Sequence, residues 1–193
     1  MPRIVPAITT LLQHLHMLSN SPEVYRPSAC PHCGLGGLWS HGCYERKPDR
    51  GPHSTGTLNP IPIPRYFCRG CGRTCSRLPQ CIAPRRWYGW AVQQLVLQLL
   101  LAGCSLHRCA CWMGLDRRTA GRWRGWLDDR GDGFALFLRG RFPELGRAVD
   151  FRSFWQGCLT AMGLGGAMAC LDRDGVAYKI IIRRAKRTKD LAF

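Results

Sequence analysis

The sequence predicts a mainly α fold with a small β zinc ribbon: the ribbon lies N-terminal, a helix-turn-helix follows, and a helical C-terminal region closes the chain. Two observations carry this. Cys30-Pro31-His32-Cys33-Gly34 and Cys68-Arg69-Gly70-Cys71-Gly72 are two Cys-x-x-Cys-Gly turns in strand-like surroundings. Between residues 84 and 130, three stretches of helical period are separated by short glycine turns. The organisation expected is an N-terminal helix within 1–24, the ribbon over 25–80 and the helix-turn-helix over 84–130, then a helical region over 131–178 and a basic tail over 179–193.

A tetrahedral zinc ion takes four thiolates, and two-residue spacing lets both cysteines of one turn face one metal. Cys30, Cys33, Cys68 and Cys71 are therefore the expected ligands and Zn2+ the expected cofactor. Gly34 and Gly72 suit the left-handed backbone such a turn requires. The bland alternative is four buried cysteines without metal, since free cysteine packs as a small hydrophobe. Cys43, Cys75 and Cys81, with His32 and His41, are spare donors nearby; Cys75 is expected in the core instead.

Lys and Arg total 28 against 12 Asp and Glu, giving a net charge of +16. A chain that basic favours polyanions, nucleic acid before an anionic membrane surface. Arginine dominates, and its planar fork matches phosphates and guanine edges. Twelve cysteines would suit a secreted disulfide scaffold. The first twenty residues lack a secretion signal's pattern, so a reducing cytosol is expected. The most apolar stretch, Ala91 to Ala102, holds three glutamines and is shorter than the ~20 residues of a membrane span. No membrane partner is expected.

Taken in order, Pro6 to Ser19 predicts a short helix whose stripe of Ile8, Leu11, Leu12 and Leu15 docks on the next domain. His14 and His16 are two apart and do not share a helical face. Leu38 to Tyr44 reads as a strand, Lys47 to Pro60 as a loop, and Ile61 to Phe67 as an edge strand because of its prolines. Pro79 to Pro84 reads as a linker.

Arg85 to Ala102 then predicts a helix with Tyr88, Val92, Leu95, Leu99 and Ala102 as its buried stripe, widened by Ala91 and Val96. Gly103 ends it, Ser105 caps a second helix over Leu106 to Met113, and Gly114 ends that one. Asp116 caps a third helix, Arg117 to Asp128. Ala120, Trp123 and Leu127 should face the core, leaving Arg118, Gly121, Arg122 and Gly125 outward, with Arg117 at the tip and Arg124 flanking. Arg117, Arg118, Thr119, Arg122 and Arg124 form the expected DNA-contacting set, on the helix where a recognition helix belongs. The alternative is an ordinary solvated basic helix. Trp112 and Trp126 are expected to pack rather than stack on bases.

Gly131 to Gly133 reads as a break. Phe134 to Leu138, Phe151 to Met162 and Leu164 to Leu171 read as further helices, with Phe151, Phe154, Trp155, Cys158 and Leu159 as a packing face. Asp172 to Gly175 reads as a turn, and the run from Lys179 as a solvated basic tail.

Cys30–Gly34, Tyr66–Thr74 and Asp116–Trp123 together resemble the zinc-ribbon plus helix-turn-helix region of bacterial insertion-sequence proteins. In that group a small protein, or the N-terminal part of a transposase, binds the element's DNA. The resemblance spans about Ala29 to Trp126 and departs in the long loop after Arg46. It implies zinc on Cys30, Cys33, Cys68 and Cys71, and DNA on the helix after Asp116. It further implies a bacterial cytoplasmic, nucleoid-associated setting and a transposase subunit as partner.

Three rival classes remain open. A complete transposase needs three carboxylates holding two metals. Asp128, Asp129 and Asp132 are expected at a helix end and Asp172 and Asp174 in a turn, so no catalytic site is read. A transcriptional regulator unrelated to transposition, or the N-terminal part of a DDE transposase lacking its catalytic domain, fits the same motifs. A zinc-ribbon module docking on protein is the third. The expectation is a non-enzymatic protein binding double-stranded DNA, with a homodimer extending the few base pairs one short helix reads.

Overall fold

The computed structural model describes residues 3–48, 58–84 and 88–176. Two small sheets with a short helix lie N-terminal, and five helices follow. The basic run from Lys179, residues 49–57 of the long loop, and Arg85 to Trp87 lie outside the described residues.

The chain begins with β1 (Ile4–Val5), not with a helix at Pro6. β1 pairs in parallel with β5 (Leu78–Pro79). That pairing, with Ala7 at φ 68°, holds the first residues extended. Helix α1 therefore starts later, at Leu11–Asn20, with Thr10 and Gln13 forming a reciprocal capping box. Ile8 is buried and Leu11 and Leu15 are half-buried, so this segment packs on the sheet residues that follow; Leu12 of the predicted stripe instead lies 70% exposed. His14 takes the buried position, its Nδ1 2.6 Å from the Tyr25 hydroxyl and its Nε2 2.8 Å from the Pro62 carbonyl.

The three-stranded sheet has the order β2 (Trp39–Arg46), β3 (Ile61–Phe67), β4 (Thr74–Cys75), all antiparallel. Over Pro62 and Pro64, β3 pairs with β2 alone, so the missing proline amides cost no ladder bond on the open side. At Tyr66 and Phe67 it is central, with β4 beyond it, so the edge-strand reading fails there. A bulge between Ser40 and Cys43 is accommodated by Gly42 at φ 67°.

Pro79 to Pro84 is not a linker. The amides of Gln80 and Cys81 donate to the carbonyls of Val5 and Ile8, and Ile82 and Ala83 are fully buried. Proline content suggested a loop, but Leu78 and Ile82 close a small core with Ile61 and Ile63.

Helices α2 (Trp90–Leu101), α3 (Leu106–Met113), α4 (Arg117–Arg141), α5 (Phe151–Ala161) and α6 (Gly163–Arg173) enclose one core running from Val96 to Val176. α2 is rotated from its expected setting. Val96, Leu97, Leu100 and Leu101 are buried, while Ala91, Leu95 and Ala102 are exposed. A helix apolar nearly all round carries no unique stripe, so its partners decide. Gln94 shows this, donating to the Leu159 carbonyl and accepting the Leu164 amide where α5 turns into α6.

α4 runs without interruption through Gly131 to Gly133, so the predicted break, and the boundary drawn after residue 130, fall inside a helix. Asp128, Asp129 and Asp132 are consequently mid-helix rather than at a helix end. Gly131 is there because the Phe151 and Trp155 rings press on it: a Cβ would lie 2.4 Å from the Phe151 ring. Phe154, Trp155, Cys158 and Leu159 of α5 are buried in this core as expected. Asp172 is not a turn former: it is buried near the end of α6, where its carboxylate accepts the backbone amides of Arg3 and Ile4. No single helix among the described residues is long and apolar enough to cross a membrane.

Candidate metal centre and nucleic-acid interface

The two Cys-x-x-Cys-Gly turns fold into matching hooks. In the first, the Gly34 amide donates to the Cys30 carbonyl at 2.9 Å; in the second, Gly72 does the same to Cys68 at 2.9 Å. Gly34 sits at φ 79° and Gly72 at φ 66°, with open space where a Cβ would be, so conformation rather than crowding requires glycine at both. The Cys30 amide donates to Leu35, and Cys68 to Arg73, closing each hook.

The hooks bring Cys30, Cys33, Cys68 and Cys71 together, their ligand atoms all within 4.8 Å of one another. Cys30 lies 3.6 Å from Cys71 and Cys33 lies 3.5 Å from Cys68, sulfur to sulfur. A tetrahedron with metal–sulfur bonds of about 2.3 Å has edges of about 3.8 Å. The quartet thus has the size of a single-metal site. Cys43 is exposed, Cys75 and Cys81 are half-buried, and none joins the cluster. His32 contributes its amide to the Cys30 sulfur at 3.4 Å rather than its ring to the cluster.

The electrostatics match a cation site. Desolvation raises the Cys30 thiol, but the Cys33 and His32 amides and the neighbouring thiols pull it down to about 6. The Leu35 amide favours ionised Cys33, yet desolvation and the adjacent thiols push that group up to about 12. Four sulfurs this close resist sharing negative charge until a cation sits among them.

The second candidate region is the first half of α4. Asp116 caps it, accepting the Arg118 amide at 2.6 Å, and Gly114 at φ 60° turns the chain out of α3. Ala120, Trp123 and Leu127 are buried, as their spacing required, so the helix presents its other side to solvent. Arg117, Arg118 and Arg122 are exposed, and Thr119 is half-buried beside them. Among the described residues no carboxylate pairs with these three arginines. Arg122 is held by the Arg118 carbonyl and the Thr119 hydroxyl, which aligns Thr119 and Arg122 on one strip. Arg124 differs: Asp128 grips it at 2.8 and 2.9 Å and the Leu100 carbonyl accepts from it at 3.3 Å.

Two features escaped the sequence. Trp112 was expected to pack, yet it lies 64% exposed on α3 with Arg108 over its ring; Trp126 is half-buried against Phe134. Beside the second hook, the Arg69 guanidinium stacks over Trp39 at 3.9 Å from the ring centroid. Only the register that sets Trp39 opposite Phe67 brings them together, and that register is invisible in a chain with a long loop between the strands.

A family model described as a domain of unknown function (DUF6431) matches residues 30–123, from the first cysteine of the quartet to Trp123 in α4. No curated protein and no solved structure matches the chain.

Proposed function

We propose that the protein is a zinc- and duplex-DNA-binding factor of a bacterial mobile element, acting as an accessory or regulator of transposition rather than as an enzyme. Four thiolates in tetrahedral reach favour a soft cation, and zinc needs no redox partner to stay there. On this reading zinc folds residues 25–80 into a ribbon whose own core is small. α2, α3 and the first half of α4 act as a helix-turn-helix, with α4 in the major groove.

The observation that carries the reading is the division of α4 into two faces. Ala120, Trp123 and Leu127 anchor one side, while on the other no carboxylate among the described residues pairs with Arg117, Arg118 or Arg122. Exposed arginines on a helix set beyond a three-residue turn suit phosphate oxygens and guanine edges. With a net charge of +16, the chain has long-range attraction to a duplex as well. Arg124, engaged by Asp128, positions the helix on Leu100 and reaches DNA only by exchanging that partner.

The test is to cross-link the protein in cells and sequence the DNA that co-purifies. Enriched terminal inverted repeats support the transposition role. Scattered promoters shift the reading to a general regulator, and no enrichment over input contradicts DNA binding itself.

A further inference from the structure

A second face of the molecule has the chemistry of a nucleic-acid site and owes nothing to α4. Trp39 and Phe67 are directly opposed in the β2–β3 ladder, so their rings share one face of the ribbon sheet. The His41 ring lies 5.7 Å from Phe67. Arg69, the second residue of the Cys68–Cys71 hook, covers one side of Trp39 at 3.9 Å, and 54% of Trp39 remains in solvent. Leu35, the residue after the first hook, is 55% exposed. Arg69 and Arg73 are exposed, and no ion pair engages either among the described residues.

We infer that this ribbon face binds single-stranded nucleic acid, with bases stacking on Trp39 and Phe67 and the backbone following Arg69 and Arg73. Three features select that occupant. The exposed Trp39 ring and the half-buried Phe67 ring on one sheet face, flanked by guanidinium groups, give bases a π surface and phosphates a cation. A duplex hides its base faces, so it cannot use rings that stand on a sheet. An acidic peptide would satisfy the arginines and leave the rings without a matching plane. The stack is set by the metal site, because Arg69 lies between two of the four cysteines and Gly70 leaves room for Leu35 beside it, where a Cβ would strike the Leu35 side chain at 2.2 Å. The zinc hook thus holds a stacking residue in place.

The experiment uses the intact, zinc-loaded chain and fluorescein-labelled dT12 and rU12, read by anisotropy beside a labelled duplex. Trp39→Ala should weaken binding of the single strands about tenfold and leave duplex affinity within about twofold, the loss expected for one stacked base. Trp39→Phe should retain most of the affinity. The double variant Arg118→Ala/Arg122→Ala should show the reverse pattern, which separates this site from the α4 reading. Preference for dT12 or for rU12 identifies the strand as DNA or RNA. If Trp39→Ala loses its metal, Trp39→Leu, which keeps apolar area without a ring, decides by the same criterion. Unchanged single-strand affinity would overturn the inference and leave the face to a protein partner. An equal loss on single strand and duplex would overturn it too, since that marks generic attraction to polyanions.

Discussion

The Asp172 carboxylate accepts the Ile4 amide at 2.8 Å across 168 residues of chain, and the Arg3 amide beside it. α6 thereby holds β1, and β1 holds β5. Asp172→Ala strands the buried Ile4 amide, at about 1–3 kcal/mol, and removes the acceptor of the half-buried Arg3 amide. Burial pushes the Asp172 carboxyl up despite the Ile4 and Arg3 amides. A raised carboxylate stabilises fully below the unfolded value of 3.8 and loses that contribution as pH rises through its folded value, so at neutral pH its charge is a cost. Asp172→Asn keeps an acceptor and sheds the charge, and should fall within about 1 kcal/mol of the wild type. Urea unfolding of both variants checks this; equal midpoints for Ala and Asn would contradict it.

Gly131 and Gly133 are two residues apart on one helix, yet alanine should act oppositely at each. In open helix, glycine to alanine stabilises by about 0.5–1 kcal/mol. Gly133 has nothing within 4 Å of its missing Cβ, so Gly133→Ala should gain that amount. At Gly131 the new methyl would sit 2.4 Å from Phe151 and 2.8 Å from Trp155 Nε1. Overpacking of that kind costs about 1–3 kcal/mol and outweighs the propensity gain. Thermal melts of the two variants should move in opposite directions; a common direction would show that α4 does not pack as described.

His14 sits between the Tyr25 hydroxyl and the Pro62 carbonyl, and desolvation holds its pKa below 6.5, against the raising effect of the Pro62 contact. The folded state therefore favours the neutral ring. Its contribution to stability is present above pH 6.5 and is lost as pH falls toward the folded value. The His14 ring signals in an NMR titration should move with a midpoint below 6.5, and a midpoint at or above it would contradict the buried placement.

If the four-cysteine cluster holds zinc as proposed, the chain should carry one equivalent of it, lost in Cys68→Ser and on chelation. Amide exchange should then rise through the ribbon while the core around Trp155 stays protected, because the helices bury their own apolar cluster. Iron in place of zinc, or a ribbon equally protected without metal, would contradict the assignment.

What the sequence disclosed follows from how local each signal is. The hooks, the Ser105 and Asp116 caps and the Gly114 turn are set by residues two to four apart, and the chain folds as these spacings require. The inward face of Ala120, Trp123 and Leu127 was legible because polar residues fix its opposite. α2 was not, since leucine and valine surround it and only its contacts with α3, α4, α5 and α6 select a face. The Gly131–Gly133 pair read as a break because the reason for Gly131 is two aromatic rings from another helix. Pro79 to Pro84 read as a linker because its partner, β1, is more than seventy residues away. The partners of His14 and the Trp39–Arg69 stack are likewise long-range.

Binding of the metal-loaded chain to a duplex, measured as a function of salt for the wild type and for Arg118→Ala/Arg122→Ala, tests the central claim most directly. If these arginines meet phosphates, the double variant should bind more weakly and the slope of log K against log salt should flatten by about 2. An unchanged affinity and slope would contradict the assignment of α4 as the helix that enters DNA.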